Sequence, residues 1–444
     1  MNIKIDISAI VEGTPLGVFQ ALVLAQCFLC MVVDGFDIQA MSYAAPSIIA
    51  QWGITGASLG PVFSASLLGM LIGSLAFGSV ADRIGRRPVL LMATTALSIL
   101  MFFTARSTGV TELLVLRLLT GIAMGAIVPN VTALSTEYAP RYNRVMLLML
   151  VASGMLVGGI AGGAIAAALI PHYGWQAVFY VGSIAPLCLT ILMYFALPES
   201  LQWCVLRNRH LDRVRRTLTQ ILPGFNPDIP STLVVAEPAR TGRRLPQLFT
   251  EGKLIGTLLL WLINFMNMLC VYFLASWTPV LMSGAGHSPA QSVLAGTSMW
   301  VGGLAGSWLL GWFVDRRGFA AVLVPSFTLA ALAIVLFSRC YGSIDLAYLA
   351  LALIGFGILG GQSAVNAMAA TFYPTTLRGT GTGWAMGLGR LGGICGPFIG
   401  ATLMQLQWST TDLLVITVVP ASITVFALLG FWKLHKMPAQ PAII

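Results

Sequence analysis

The sequence predicts an all-α membrane protein with twelve transmembrane helices arranged as two related bundles of six. Three observations carry that prediction. Hydrophobic residues make up 57% of the 444-residue chain and charged residues only 9%, with a mean hydropathy of +0.87. Apolar runs of about 20 residues, enough to cross ~30 Å of hydrocarbon, recur twelve times. A loop motif between the second and third runs returns between the eighth and ninth.

The runs begin near residues 18, 56, 88, 110, 145, 175, 253, 290, 320, 345, 379 and 412. Their many Gly and Pro residues point to packed, bending helices, because barrel strands would instead alternate polar and apolar residues over ~10-residue segments. Residues 1–20 carry Lys4, Asp6 and Glu12 and lack a short apolar core with a cleavage site, so the first run is expected to be a retained span. Lys4, Arg83, Arg86, Arg87, Arg141, Arg144, the basic segment Arg207–Lys253, Arg316, Arg317, Arg378, Lys433 and Lys436 fall on one face. Of the loop cations only Arg106 and Arg339 fall on the other. The positive-inside rule then puts both termini in the cytoplasm of a multi-pass inner-membrane protein. The net charge of +9 becomes a basic rim facing anionic lipid rather than a nucleic-acid surface. Seven scattered cysteines give no disulfide framework, and Cys27-x-x-Cys30 inside an apolar run, with no nearby His, reads as packing.

Gly78-Ser-Val-Ala-Asp82-Arg83-Ile-Gly85 recurs 233 residues on as Gly311-Trp-Phe-Val-Asp315-Arg316-Arg317-Gly318. Pro140-x-x-x-Arg144 recurs at nearly the same offset as Pro374-x-x-x-Arg378, and Gly158-Gly159 falls on Gly392-Gly393. The division expected is a first bundle at 1–197, a cytoplasmic loop at 198–252, and a second bundle with a short tail at 253–444.

Four charges lie inside the spans. Asp34 and Asp37, three residues apart in span 1, share one helix face. A charge at the centre of a span costs roughly 2.5–3.5 kcal/mol on insertion scales, so such groups mark ion or substrate pathways. Counted from the expected ends, Asp34 lies ~24 Å into span 1 and Arg117 ~25 Å up span 4, at a common depth in the outer half of the bundle. Arg117 is therefore the expected partner of the pair, and two carboxylates beside one arginine make a tunable proton site. Competing readings end span 1 at Val33, or make Arg117 a structural counter-charge only. Arg390 sits near the middle of span 11 with no acid in any second-half span, and a buried guanidinium calls for an anion such as a substrate carboxylate. Its alternative partners are helix-end carbonyls or amides. Asn264 and Asn267 on span 7, and Gln362 and Asn366 on span 10, are polar at comparable depth and serve either ligand contact or interhelical hydrogen bonding. Phe36, Trp261 and Trp384 are candidate packing surfaces for a substrate ring.

Gly78-x-x-x-Asp82-Arg83-x-Gly85-Arg86-Arg87 resembles the loop signature of the major facilitator superfamily. Asp34-Gly35-Phe36-Asp37, Arg117-Leu-Leu-Thr-Gly121-Ile-Ala-Met-Gly125 with Pro129-Asn130, and the stretch from Tyr373-Pro374 to Gly389-Arg390 together resemble its aromatic acid:proton symporters. The resemblance implies two six-helix bundles around a central cavity and import of a hydroxybenzoate-like acid with protons. The implied partners are an aromatic carboxylate, protons and the lipid bilayer. The proton serves as coupling ion with no cofactor or metal, and the chain is expected to act as a monomer. It also implies a gating role for Asp82, Arg83, Arg86, Asp315 and Arg378, expected to latch the two halves across the basic rim. The weighed alternatives are a proton-coupled exporter of aromatic compounds and a permease-like sensor. No nucleotide-binding loop, metal cluster or nucleophile–base arrangement stands out, so an enzyme is not expected.

Overall fold

The computed structural model describes residues 3–222, 224, 231–235, 246–250, 252–374 and 377–434. The tail after Leu434 and much of 223–251 lie outside the described residues, as do Arg240, Arg243, Arg244 and Lys436.

Among the described residues, twelve long helices follow one another. They are α1 (Val18–Trp52), α2 (Gly60–Ile84), α3 (Arg86–Ala105), α4 (Val110–Tyr138), α5 (Arg144–Tyr173), α6 (Gln176–Ala196), α7 (Leu254–Gly284), α8 (Pro289–Arg317), α9 (Phe319–Cys340), α10 (Ile344–Phe372), α11 (Arg378–Gln405) and α12 (Val418–Leu434), the last preceded by a turn of helix at Thr410–Val415. Eleven are long and apolar enough to span a bilayer by composition. The other, α11, has 28 residues, but Gly, Thr, Arg378 and Arg390 take the place of aliphatic side chains.

Local sequence sets the ends. Helix α8 starts at Pro289 behind a capping box, with the Gln291 N–H donating to Ser288 Oγ (3.3 Å) and the Ser288 N–H to Gln291 Oε1 (3.0 Å). Helix α1 stops at Gly53, whose φ of +62° is left-handed. The two copies of the loop motif stop α2 and α8 in the same way, at Gly85 (φ +105°) and Gly318 (φ +79°). A side chain is strained in that backbone region, which explains why both copies keep glycine there.

The repeat holds in space. Helix α1 packs on α5 as α7 packs on α11, α2 on α4 as α8 on α10, and α3 on α6 as α9 on α12. Between the halves, α5 meets α8, α2 meets α11 and α1 meets α7. Polar contacts across this seam gather away from the end that carries the N-terminus and the Gly78–Arg87 loop, hereafter the basic end. Ser42 Oγ donates to the carbonyls of Ala275 (2.6 Å) and Ser276 (3.0 Å), and Ser64 Oγ to that of Ile394 (3.0 Å). Phe63 meets Trp277 edge-on at 5.3 Å. The far end is thus closed.

At the basic end, β1 (Ile3–Asp6) pairs in parallel with β2 (Ser231–Val234) from the central segment. The amphipathic helix Leu211–Ile221 buries Val214, Leu218 and Ile221 and leaves Arg213 and Arg216 exposed. Trp203 Nε1 and Arg207 Nη2 donate to the Asp82 carbonyl at 3.2 and 3.0 Å, so residues 200–221 are fastened to the first bundle.

Candidate functional site

Helix α1 has 35 residues and runs unbroken past Pro46 to Trp52, about 52 Å at 1.5 Å per residue. The reading that ends span 1 at Val33 is therefore wrong, and Asp34 is the seventeenth residue of the helix, at its middle rather than toward its outer end. Gly35 permits this site. A Cβ there would strike the backbone of Met155 on α5, so only glycine allows α1 and α5 to cross so closely between the two acids.

The acids diverge. Asp37 accepts from Arg117 Nη1 at 3.0 Å, and both residues are at most 2% exposed. Arg117 Nη2 lies 3.1 Å from Met101 Sδ and 3.3 Å from Thr104 Oγ1 and Thr120 Oγ1, and the guanidinium rests 5.4 Å over the Phe179 ring. A buried ion pair needs such additional partners to offset the desolvation of both charges. Neither oxygen of Asp34 has a hydrogen-bond partner among the described residues, although Asp34 is fully buried. It lies instead within electrostatic reach of Arg390 on α11.

Arg390 is not isolated in the second half, as its helix neighbours alone would imply. Its Nη1 donates across the seam to Ser74 Oγ on α2. Its neighbour Gly389 lies against Asn264 and Met268 of α7, and Tyr272 packs over Gly393, one turn beyond. Tyr272 senses both Asp34 and Arg390. Arg390, Ser74 and Tyr272 thus meet from both halves near the middle of α11, with Asp34 in electrostatic reach. Ser74 carried no signal in the sequence, since a lone serine in an apolar helix is ordinary.

The four amides form one ladder between α7 and α10. Gln362 Nε2 donates to Asn264 Oδ1 (3.0 Å) and Asn366 Oδ1 (2.9 Å), while Asn267 Nδ2 donates to Gln362 Oε1 (2.6 Å) and to the Ile358 carbonyl (3.2 Å). Asn267 Oδ1 is buried with no partner among the described residues. Trp261 and Trp384 stack at 6.0 Å and 28°, nearer the basic end than Arg390. Phe36 is not with them. Two residues beyond Asp34 it points to another helix face, and its ring packs against Gly162 of α5 and Gly182 of α6 inside the first half.

The gating residues are divided as well. Arg86 does not reach across the rim but pairs with Glu137 of its own half, and Glu137 accepts from Ser200 Oγ at 2.6 Å. Glu199 Oε1 accepts the backbone N–H groups of Arg86 (2.9 Å), Arg87 (3.1 Å) and Ser200 (2.9 Å), a carboxylate on the positive end of α3. The side chains of Asp82, Arg83, Asp315 and Arg378 are exposed and form no ion pair among the described residues. Sequence reasoning missed Glu137 and Glu199 because they lie outside the repeated motif.

Two bundles related by a repeat, closed at one end, with a buried aspartate and a half-buried arginine facing each other at their seam, are the architecture of a membrane transporter. The family model for the Major Facilitator Superfamily matches residues 27–397 and 260–442. The chain belongs to the Major Facilitator Superfamily. It is 38% identical to the 4-hydroxybenzoate transporter PcaK of Pseudomonas aeruginosa over 96% of this chain and 95% of that one. It is 37% identical to the gallate transporter of Pseudomonas putida over 100% and 99%, and 30% identical to the 3-(3-hydroxy-phenyl)propionate transporter of Escherichia coli over 92% and 94%. Among solved structures, a bacterial homologue of the human lysosomal transporter Spinster shares the fold, with a TM-score of 0.73 at 15% identity over 96% of this chain and 100% of that one.

Proposed function

We propose that this chain imports a hydroxybenzoate-like aromatic carboxylate together with protons, by alternating access across the cytoplasmic membrane, with both termini in the cytoplasm. The observation that carries the reading is Arg390, a mid-membrane guanidinium at the seam between the halves with no carboxylate in hydrogen-bond contact among the described residues. A planar carboxylate would complete its coordination in a way that lysine could not provide. The substrates named for the relatives, 4-hydroxybenzoate and gallate, are compact aromatic acids of that kind.

The residues divide the work. Arg390 takes the carboxylate, with Asn264, Asn267, Gln362 and Asn366 as the polar wall and the Trp261/Trp384 stack on the basic side. Asp34, Asp37 and Arg117 couple the proton. Asp82, Arg83, Asp315 and Arg378 meet across the basic rim when that end closes, while Arg86 braces the first loop from below. The transporter acts as a monomer and needs no cofactor beyond the coupling proton.

Uptake of labelled 4-hydroxybenzoate into proteoliposomes, acid outside, tests the reading. Accumulation above equilibrium that collapses with a protonophore is the expected result. Faster entry of protons in exchange for substrate leaving would instead make the chain an exporter. An unchanged rate with and without the gradient would remove proton coupling.

A further inference from the structure

Two aspartates three residues apart invite treatment as one shared site, but their surroundings differ in kind. Asp37 is tied through Oδ1 to Arg117 Nη1, and Arg117 Nη2 is occupied by Thr104, Thr120 and Met101, which leaves only Asp37 Oδ2 and Arg117 Nε of the pair without a partner among the described residues. Asp34 has two buried oxygens without a donor among the described residues, and the opposite charge that acts on it is Arg390, across the seam. We propose that Asp37 is the fixed counter-ion of Arg117, while Asp34 carries the proton and alternates with the substrate carboxylate as the counter-ion of Arg390. The assignment rests on the proton-coupled reading above and extends it to a stoichiometry.

The groups facing Asp34 are few. On its own helix they are Cys30 and Asp37; α11 contributes Arg390 and α7 contributes Tyr272. Arg117 of α4 acts through Asp37. The charged residues of α2, α5 and α8 lie near the helix ends, and α6 has none.

Charge counting at the Asp34–Arg390 site then yields the coupling. With the substrate absent and Asp34 ionised, the guanidinium and carboxylate sum to zero. When a proton binds one Asp34 oxygen, the neutral acid releases Arg390, the substrate carboxylate takes its place, and the sum is again zero. The two mixed states are charged. Substrate without proton leaves one net negative charge, and proton without substrate leaves one net positive charge, each in a closed seam where an uncompensated ion costs several kcal/mol. Only the empty ionised site and the fully loaded site close easily. Neither proton nor substrate crosses alone, and one proton accompanies each monoanion with no net charge moved.

Infrared difference spectra of the purified full-length protein between acid and alkaline buffer read the assignment without any substrate. Wild type is expected to show the carbonyl stretch of a titrating carboxylic acid; Asp34→Asn loses it, Asp37→Asn keeps it, and Asp34→Glu moves it. A band kept in Asp34→Asn, or absent from wild type, overturns the assignment. Asp34→Asn decides alone if Asp37→Asn does not fold. The stoichiometry is read separately from labelled 4-hydroxybenzoate uptake at a fixed proton gradient, where an imposed membrane potential should leave the rate unchanged. A severalfold acceleration by an inside-negative potential would show that more than one proton moves and would overturn the one-to-one coupling. If wild type took up no 4-hydroxybenzoate at all, the proposed function would fail for that probe, while the spectra would still decide which aspartate titrates.

Discussion

The two bundles share a scaffold but not a chemistry. Helix pairs in the first half have counterparts six helices later, down to the positive-φ glycines Gly85 and Gly318. Yet the first half holds two acids at mid-helix and the ion pair of Asp37 with Arg117, whereas the second holds an amide ladder and, at the middle of α11, Arg390. The basic-end loops diverge too. Arg86, Glu137, Glu199 and Ser200 lock the first copy, while the second has Phe319-Ala320 where the first has Arg86-Arg87, and Arg316 rests 3.7 Å over the Trp312 ring. Under the proposed function, the duplicated fold divides into a proton-handling half and a substrate-handling half. Coupling in that proposal crosses the seam, where Asp34 lies within electrostatic reach of Arg390.

The largest expected effect follows from removing the second half's charge. Arg390→Ala should lower 4-hydroxybenzoate uptake on the order of a hundredfold, since losing a charge-assisted contact costs about 3 kcal/mol or more. Arg390→Lys should recover little of it, because an ammonium lacks the planar fork. Uptake within severalfold of wild type in Arg390→Lys would mean that the guanidinium does not hold the carboxylate.

The first half should fail differently. Asp37→Asn strands Arg117 in the membrane interior, and breaking one partner of a buried pair costs about 3–5 kcal/mol. A lower melting temperature is expected, with part of the loss regained in the double variant Asp37→Asn/Arg117→Gln. Additive destabilisation in that double variant would argue against the pair as a unit.

A finer contrast separates the loop copies. An alanine is strained at either positive-φ position by about 1–2 kcal/mol. At Gly85 its Cβ would also strike the Glu199 carboxylate that caps α3, whereas nothing lies within 4 Å at Gly318. Gly85→Ala should therefore be the more damaging to thermal stability, and equal losses would show that the Glu199 brace contributes nothing. Smallest of all, Gln362→Ala should cost about 0.5–1.5 kcal/mol of stability, because Asn267 Nδ2 keeps the Ile358 carbonyl while Asn264 Oδ1 and Asn366 Oδ1 lose their donor. It is measurable by thermal unfolding in detergent.

Much of this was legible in the sequence for identifiable reasons. Span positions follow from apolar run length, the two halves from a motif repeated at one offset, and the Asp37–Arg117 pair from the insertion penalty of buried charge. What was not legible depends on tertiary contact. The competing end of span 1 at Val33 arose because the polar pair that follows resembles an end, whereas α1 runs on to Trp52. The company of Arg390 was invisible because its hydrogen-bond partner Ser74 and the facing charge of Asp34 come from the other half. Phe36 was misplaced because adjacency to the acids in sequence is not adjacency in space: two residues along a helix turn the side chain by roughly 200°. The brace from Glu137 and Glu199 has no counterpart in the second copy, so the repeat could not reveal it.

The central claim is that the first half handles the proton that drives the second half's cargo. The most direct measurement is accumulation of labelled 4-hydroxybenzoate in proteoliposomes under an inward proton gradient, wild type against Asp34→Asn. The account predicts uphill accumulation in wild type and none above equilibrium in the variant. Gradient-driven accumulation by Asp34→Asn to the wild-type level would contradict it.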